Sequence, residues 1–165
     1  LLRPRRYEIR RAFRAVPRRT PRARESDPAP KWQYRLIIPV QFRDFDLMGH
    51  VNNAVYLAYC EQARTEFYVR ASGKASVRDL DFVVARAEID FRSSIRHDEA
   101  QVEVLVRTSK VGESSWTLEY LIRRPADGSV VAEARTVQVY YDYASREKRP
   151  IPEALRRRLV DFSTL

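Results

Sequence analysis

The sequence predicts an α+β domain in which a five-stranded antiparallel sheet wraps around one long central helix. Three observations support this class. A helical pattern covers about residues 52–71, an alternating strand pattern precedes it, and four strand-like runs follow it without a second long helix between them. One strand, one helix and then four strands in antiparallel succession is typical of a curved sheet that covers a single helix.

The first strand is residues 34–43, "YRLIIPVQFR", in which apolar and polar residues alternate and predict one buried face. Pro39 lies within this run. Because proline cannot donate a hydrogen bond to a neighbouring strand, it predicts an edge strand or a bulge at this point.

The central helix is expected to begin at Asn52 or Asn53 and to end near Ala71, where "SGK" interrupts the pattern. Apolar residues at helical spacing predict a broad buried stripe. They are Val55, Tyr56, Tyr59, Cys60, Ala63 and Phe67. We therefore interpret Cys60 as a core residue. As the single cysteine of the chain, it also excludes an internal disulfide.

The remaining strands are predicted over residues 80–91, 99–110, 114–124 and 129–143. The turns "VGES" and "ADGS" join the last three of these strands as hairpins. "RPIPEALRRRLVDF" then forms a short C-terminal helix with Pro152 near its first turn.

Charge divides the 165-residue chain into two parts. The net charge is +9, but residues 1–30 hold ten arginines against three acidic residues, which is +7 and leaves only +2 for residues 31–165. Five of the nine prolines also lie in residues 1–30. We therefore expect a basic, proline-rich, disordered tail at residues 1–30 and one domain at residues 31–165.

Several roles for this tail stay open. It is simplest as a disordered extension, but it also fits a basic amphipathic helix that touches anionic lipid, an arginine-rich organelle transit segment, or a contact for an acidic carrier protein. Its charge gives nonspecific phosphate binding, so no specific nucleic acid is expected. No apolar stretch suits a membrane span or a signal peptide, so we expect a cytoplasmic protein.

Residues 43–64, "RDFDLMGHVNNAVYLAYCEQAR", gather two acidic residues, a glycine, a histidine and two asparagines at the helix start. Spacing excludes several kinds of site. Met48 and Val55 stand where a calcium loop needs oxygen ligands, and two histidines with one cysteine do not form a zinc set. Nucleophile-elbow, phosphate-loop and dinucleotide motifs are missing from the sequence. Neither a metal nor a separate cofactor is therefore expected.

After these exclusions, the remaining chemical feature is a carboxylate just before the start of the helix. Main-chain N–H groups there point outward with partial positive charge, so they can polarise a carbonyl oxygen. A nearby carboxylate can attack that carbonyl or take a proton from water. Gly49 lets the backbone approach a ligand closely. The stretch therefore predicts an acyl-transfer or hydrolysis site that needs no serine, cysteine or metal.

The stretch "FRDFDLMGHVNNAVYLAYCEQAR" resembles the opening motif of the hot-dog fold acyl-CoA thioesterases of the 4-hydroxybenzoyl-CoA thioesterase type. "FVVARAEIDFRSSI" and "RPIPEALRRRL" resemble the second-strand and closing segments of that family, so the resemblance covers about residues 32–163. It implies the hot-dog fold and a role in lipid metabolism, with hydrolysis of a thioester to a free acid and coenzyme A.

By position, the resemblance implies that Asp46 is the catalytic carboxylate, acting as base or nucleophile, and that Asp44 braces the turn. The amides of His50 and Val51 correspond to the helix start that holds the thioester carbonyl. Asn52 and Asn53 correspond to the asparagines that cap the helix and orient the water or the carbonyl.

Simpler roles stay open for several of these residues. Asp46 also fits a plain turn residue, and the His50 ring fits a structural or substrate-lining role. Glu61 lies off the apolar stripe and is expected to pair with Arg64 at i+3. Because another hot-dog branch places its carboxylate on this helix, Glu61 is the reserve catalytic candidate.

The phosphates of coenzyme A need cations at the entrance of the site. The candidates are Arg92, Arg96, Lys148 and Arg149, although each also fits plain solvated surface.

The resemblance further implies a homodimer or homotetramer with sites between subunits, and long strand edges that need covering agree with this. Two alternatives to acyl-CoA hydrolysis stay open. One is hydrolysis of acyl groups from acyl carrier protein, and the other is a non-catalytic domain that binds acyl groups.

Overall fold

The computed structural model describes residues 31–165 of the chain. The predictions made for the tail of residues 1–30 therefore lie outside the described residues. None of the helices in the described part is both long and apolar enough to cross a membrane.

The described residues form a curved antiparallel sheet around one long helix, which confirms the predicted α+β architecture. The strands are β1 Tyr34–Pro39, β2 Phe82–Phe91, β3 Gln101–Val111, β4 Ser115–Arg123, β5 Val130–Asp142 and β6 Glu147–Lys148, and the helices are α1 Asn53–Ser72 and α2 Glu153–Asp161. These are the five predicted strands and one further strand. The first strand is shorter than predicted, since β1 ends at Pro39 and not at residue 43, and Phe42–Asp44 form a 3₁₀ turn. The sixth, β6, is a two-residue addition that pairs with the end of β5.

The strand order is β1-β3-β4-β5-β2, so β1 and β2 are the outer strands of the sheet. The hairpins β3–β4 and β4–β5 are antiparallel neighbours, as the turn sequences predict. Pro39 is the last residue of β1. The predicted edge position of the proline-containing strand is therefore confirmed.

The core lies between α1 and the concave face of the sheet. Alternate residues of β3 and β4 are fully buried there: Val102, Val104, Val106, Trp116, Leu118, Tyr120 and Ile122. On α1 the buried residues are Tyr56, Tyr59, Cys60, Ala63, Arg64, Phe67, Tyr68 and Ala71. Each large apolar side chain removed from water in this way contributes roughly 1.5–3 kcal/mol, so this layer is the main source of stability.

The predicted stripe of α1 is confirmed except at Val55, which is only half-buried. Cys60 is fully buried, and burial raises the pKa of its thiol to about 12. The thiolate is therefore not available as a nucleophile near neutral pH. The core role predicted for Cys60 is confirmed.

The predicted ion pair between Glu61 and Arg64 is wrong. Arg64 is only 8% exposed because it lies on the buried face of α1, and Glu61 is on the exposed face. Within residues 31–165 neither side chain lies within ion-pair distance of an oppositely charged group. A spacing of three residues was not enough, since the two side chains diverge around the helix.

Two residues fix the ends of α1. The Asn52 side chain caps the first turn by accepting a hydrogen bond from the Ala54 N–H at 2.9 Å. Gly73 ends the helix in the left-handed region, at φ +70°. A Cβ at Gly73 would also lie 2.7 Å from Nη1 of Arg158, which donates a hydrogen bond to the Ser72 carbonyl at 2.6 Å. Both predicted boundaries of α1 are therefore close to the observed ones.

Candidate active site

The chain passes from β1 to α1 through a short 3₁₀ turn, Phe42–Asp44, that Asp44 holds in place. The buried Asp44 carboxylate accepts hydrogen bonds from the Tyr59 hydroxyl at 2.9 Å and from the Gln41 N–H at 2.8 Å. Its carbonyl accepts the Asn52 N–H at 2.8 Å. Burial, together with this carboxylate, raises the pKa of Tyr59. Asp44 thus connects the exit of β1 to the start of α1.

Asp46 begins a tight turn that brings its carboxylate back onto the main chain. The Asp46 N–H donates to the His50 carbonyl at 2.8 Å, and the Gly49 N–H donates to the Asp46 carbonyl at 3.0 Å. Gly49 has φ +75°, a conformation that glycine adopts without strain. Oδ1 of Asp46 accepts N–H groups from Met48 at 2.8 Å and His50 at 3.2 Å.

The second oxygen of this carboxylate is in a different situation. Within residues 31–165, Oδ2 of Asp46 has no hydrogen-bond partner, and the residue is only half-buried. One oxygen therefore fixes the orientation of the carboxylate, and the other is free to contact a water molecule or a ligand.

Contrary to the prediction, the amides of His50 and Val51 are not free to hold a carbonyl oxygen, because both already donate hydrogen bonds within the chain. The His50 N–H already donates to Asp46, and the Val51 N–H donates to the Ile95 carbonyl at 3.0 Å. The Val51 amide is occupied because residues 50 and 51 lie against the loop between β2 and β3, where His50 also forms a strand bridge with Arg96. The first amide of α1 without a partner among the described residues is that of Asn53.

Of the two asparagines expected to cap α1, one does so. Asn52 is the cap, and Asn53 is the first residue of α1 with its side chain exposed. The His50 ring is half-buried beside the turn and makes no hydrogen bond within the described part of the chain. The first turn of α1 contains no acidic residue, so its partial positive charge is not neutralised within the helix.

Apolar side chains surround the turn on its outer side. Phe42, Leu47 and Met48 are almost fully exposed in the single chain. Large apolar residues that cluster on a surface usually mark a binding or association surface.

The four candidate cations are not brought together. Arg92 is bound to Glu133, with Nε 2.7 Å from Oε2, and Arg149 pairs with Asp142. Lys148 and Arg149 lie beside Asp142, at the end of the sheet opposite the β2–β3 loop. Only Arg96 lies at the turn, where its main chain bridges His50.

Arg96 and Glu61 differ in their distance from the carboxylate. Among the described residues the Arg96 side chain is exposed and has no acidic partner, so it can meet an anion. Glu61 is also exposed but lies eight residues into α1, about 12 Å along the helix axis from its start. The reserve candidate Glu61 therefore does not belong to the turn that holds Asp46.

Sequence reasoning missed three residues that hold the turn. Tyr56 and Tyr59 belong to the predicted apolar stripe, but their hydroxyl groups bind the Ile95 N–H at 3.3 Å and Asp44 at 2.9 Å. A buried tyrosine usually needs a polar partner, and that rule could have indicated both contacts. Arg124 contacts the β2–β3 loop from the end of β4, and no local pattern indicates it.

This turn, helix start and surrounding sheet agree with what comparison with known proteins finds. Residues 40–159 match the sequence model of the thioesterase-like superfamily. The chain belongs to this superfamily. The hot-dog fold expected from the resemblance is confirmed, whereas the 4-hydroxybenzoyl-CoA type stays a prediction.

Three known proteins are similar to this chain. A thioesterase from Thermus thermophilus, in complex with coenzyme A and Zn, is 38% identical with a TM-score of 0.70, and the match covers 78% of this chain and 98% of that one. The acyl-acyl carrier protein thioesterase ATL3, chloroplastic, of Arabidopsis thaliana is 28% identical over 76% of this chain and 67% of that protein. The protein YsmA of Bacillus subtilis (strain 168) is 31% identical over 51% of this chain, and the match spans only 56% of YsmA. The superfamily and the two relatives named as thioesterases support thioester hydrolysis as the general activity.

Proposed function

We propose that the protein is an acyl-CoA thioesterase in which Asp46 carries out the chemistry. The observation that supports this most directly is the asymmetry of its carboxylate. Two main-chain N–H groups hold Oδ1, and Oδ2 has no partner among the described residues. A carboxylate that is oriented and yet has one free oxygen is suited to act as a base or as a nucleophile.

The thioester carbonyl is placed at the N-terminus of α1 in this proposal. The free Asn53 N–H and the uncompensated helix dipole stabilise the negative charge that develops on the carbonyl oxygen. The amides of His50 and Val51 keep a supporting role, since they fix Asp46 and the loop that lies against the helix start.

Two routes are compatible with one carboxylate. As a base, Asp46 takes a proton from water, the hydroxide adds to the carbonyl carbon, the C–S bond breaks, and the thiolate receives the proton back. As a nucleophile, Oδ2 attacks the carbonyl carbon and expels the thiolate, and water then hydrolyses the acyl anhydride. Thioesters suit either route because the thiolate leaves without strong acid assistance.

Coenzyme A is the proposed leaving group. The exposed Arg96, whose main chain bridges His50, is the cation placed to contact one of its phosphates. A Thermus thermophilus relative holds coenzyme A in its crystal structure, which supports this assignment.

We also propose a homodimer or homotetramer as the active form. The exposed Phe42, Leu47 and Met48 beside the turn form an apolar surface that a second copy would cover. Covering this surface would exclude water from the outer side of the site, which strengthens electrostatic interactions within it.

Hydrolysis of acyl groups from acyl carrier protein is the second candidate. The relative ATL3, whose name carries that activity, supports it, and the arginine-rich residues 1–30 suit an acidic carrier. Paired assays of one acyl group on coenzyme A and on acyl carrier protein separate the two. A kcat/KM higher on the carrier by about tenfold or more, which is about 1.4 kcal/mol, would favour the second candidate.

The test is hydrolysis of a panel of acyl-CoA thioesters by the wild type and by Asp46→Asn. Asparagine keeps an acceptor oxygen for the main chain but removes the base, so kcat should fall about 10²–10⁴-fold. Asp79→Asn, an exposed aspartate beyond the far end of α1, is the matched control and should keep wild-type rates. Full activity of Asp46→Asn would remove Asp46 from the chemistry. A wild type that binds acyl-CoA without hydrolysing it would instead indicate a non-catalytic binding domain.

A further inference from the structure

We propose that Arg124 is a positioning residue that holds the Asp46 turn in its catalytic geometry, an inference that rests on the proposed function. Arg124 follows the end of β4, in the turn that leads to β5. Its guanidinium reaches the loop between β2 and β3, which lies directly against the helix start.

The guanidinium uses both of its terminal nitrogens on this loop. Nη2 donates to the Ser94 carbonyl at 2.8 Å and to Oε1 of Glu99 at 3.1 Å. Nη1 donates to Oγ of Ser93 at 2.9 Å and to Oγ of Ser129 at 3.3 Å. Nε lies 2.7 Å from Oε2 of Glu99. One side chain therefore connects the β4–β5 hairpin to both ends of the loop.

Glu99 connects the Arg124 side chain to the main chain of the loop. Its Oε1 accepts the Arg96 N–H at 3.0 Å, and its own N–H donates to the Arg96 carbonyl at 3.0 Å. Residues 96–99 thus form a closed turn whose charged side chain is paired with Arg124.

The loop in turn contacts the residues that hold Asp46. Ile95 is fully buried, accepts the Val51 N–H at 3.0 Å through its carbonyl, and donates its own N–H to the Tyr56 hydroxyl. Arg96 bridges His50. His50 donates its N–H to Oδ1 of Asp46 at 3.2 Å. Each step from Arg124 to the carboxylate is therefore a defined hydrogen bond or strand bridge.

An arginine is needed because the contacts form a planar fork. A lysine at this position would keep a charge for Glu99 but has one nitrogen, so it cannot also hold Ser93 and the Ser94 carbonyl in the same geometry. Small displacements of a reacting group from its productive position can cost up to about 100-fold in rate. Loosening the loop should therefore lower kcat even though Arg124 does not touch the reacting atoms.

Arg123, the neighbouring residue, provides a matched control. It is the last residue of β4 and pairs with the buried Glu103 of β3, not with a residue of the β2–β3 loop. The Arg123 and Arg124 side chains are comparably half-buried, at 35% and 23% exposure. Breaking either ion pair should reduce stability, but only the Arg124 pair leads to Asp46.

The experiment compares Arg124→Gln, Arg124→Lys and Arg123→Gln in the full chain. Steady-state kinetics on one acyl-CoA give kcat and KM, thermal unfolding gives stability, and hydrogen exchange reports the amides of residues 44–53 and 92–100. We expect Arg124→Gln to lower kcat by about 10- to 100-fold with KM changed by less than about threefold. Exchange of the Val51 amide should become faster, Arg124→Lys should restore part of kcat, and Arg123→Gln should keep kcat within about twofold.

Wild-type kcat in Arg124→Gln, or an equal loss of kcat in Arg123→Gln, would overturn the inference. If Arg124→Gln does not fold, Arg124→Lys decides, since unchanged kcat and unchanged exchange at Val51 would then overturn it. Failure of the proposed function looks different, because the wild type would then be inactive or Asp46→Asn fully active.

Discussion

The two ends of α1 differ in their surroundings: aromatic side chains enclose the C-terminal end, whereas exposed groups lie beside the N-terminal end. At the C-terminal end, Tyr68 stacks on Trp116 with ring centroids 5.5 Å apart and planes 13° apart, and Phe82 packs edge-on against both. The Tyr68 hydroxyl donates to Asp81. Gly73 closes the helix, and Arg158 binds the carbonyl of the residue before it.

At the N-terminal end, in contrast, groups are left open within the described residues. Oδ2 of Asp46 and the Asn53 N–H have no partner, and the apolar Leu47 and Met48 are exposed. A folded chain normally satisfies its polar groups and covers its apolar surface, and departures from that rule concentrate at functional sites. One helix thus has a structural end and an end that is arranged for a ligand.

Removing the aromatic cluster should have the largest effect on stability and the smallest on chemistry. Trp116→Ala removes the ring that packs against both Tyr68 and Phe82, so the free energy of unfolding should fall by about 3–5 kcal/mol. Urea unfolding measures this loss, and kcat on an acyl-CoA should stay near wild type under conditions where the variant is folded. A large loss of kcat in folded protein would contradict the division between the two ends.

At the N-terminal end of α1 we expect Asp44 to stabilise the fold, because its carboxylate braces the turn. Asp44→Ala leaves the buried Tyr59 hydroxyl without its acceptor, which should cost about 1–3 kcal/mol of unfolding free energy. Asp44→Asn keeps an acceptor oxygen and should lose less. Chemical denaturation of both variants provides the measurement, and equal stability of Asp44→Ala and wild type would refute the bracing role.

The buried tyrosines make stability depend on alkaline pH at both ends of α1. Burial, with Asp44 and Asp81 beside the two hydroxyl groups, raises the pKa of Tyr59 and Tyr68 above the ordinary value of about 10. The unfolded chain releases these protons first, so this stabilisation is complete below about pH 10 and is lost as the pH rises above it. The loss is at most about 1.4 kcal/mol per pH unit for each tyrosine.

Thermal unfolding between about pH 9 and about pH 11 tests this sign. Tyr59→Phe and Tyr68→Phe should each show a shallower decrease of Tm with pH than the wild type does. Parallel curves for the wild type and both variants would argue against the two buried hydroxyl groups.

Glu61 should give the smallest effect. Its side chain is exposed and makes no ion pair within residues 31–165, so Glu61→Gln should change the unfolding free energy by less than about 0.5 kcal/mol. We also expect kcat within about twofold of wild type. A loss of kcat comparable with that of Asp46→Asn would move the catalytic carboxylate onto the helix.

Most of the fold could be predicted because its signals are local. Alternation marks the strands, a stripe at helical spacing marks α1, and Gly73 and Asn52 mark its ends. Pro39 indicated the edge position of β1 correctly. Two local patterns misled. Alternation extended the first strand to residue 43, whereas β1 ends at Pro39. The spacing of Glu61 and Arg64 predicted an ion pair, but burial on one face of the helix decided where each side chain points.

The residues of the candidate site could be predicted only in part from the sequence. Asp44 and Asp46 stand out in the sequence, but the Val51 amide is used by a loop about 45 residues further along the chain. Arg124 is more distant still, and its contacts arise only when the hairpin and the loop meet in space. Roles carried by long-range contacts leave no periodic trace in a single sequence.

The proline that closes β1 has a consequence for where the acidic turn begins. β1 pairs with β3 from Tyr34 to Pro39, and the strand ends there. Because proline has no N–H to donate, it cannot continue the regular ladder of hydrogen bonds between the strands. The chain leaves the sheet after Pro39 and enters the 3₁₀ turn Phe42–Asp44, two residues before Asp46.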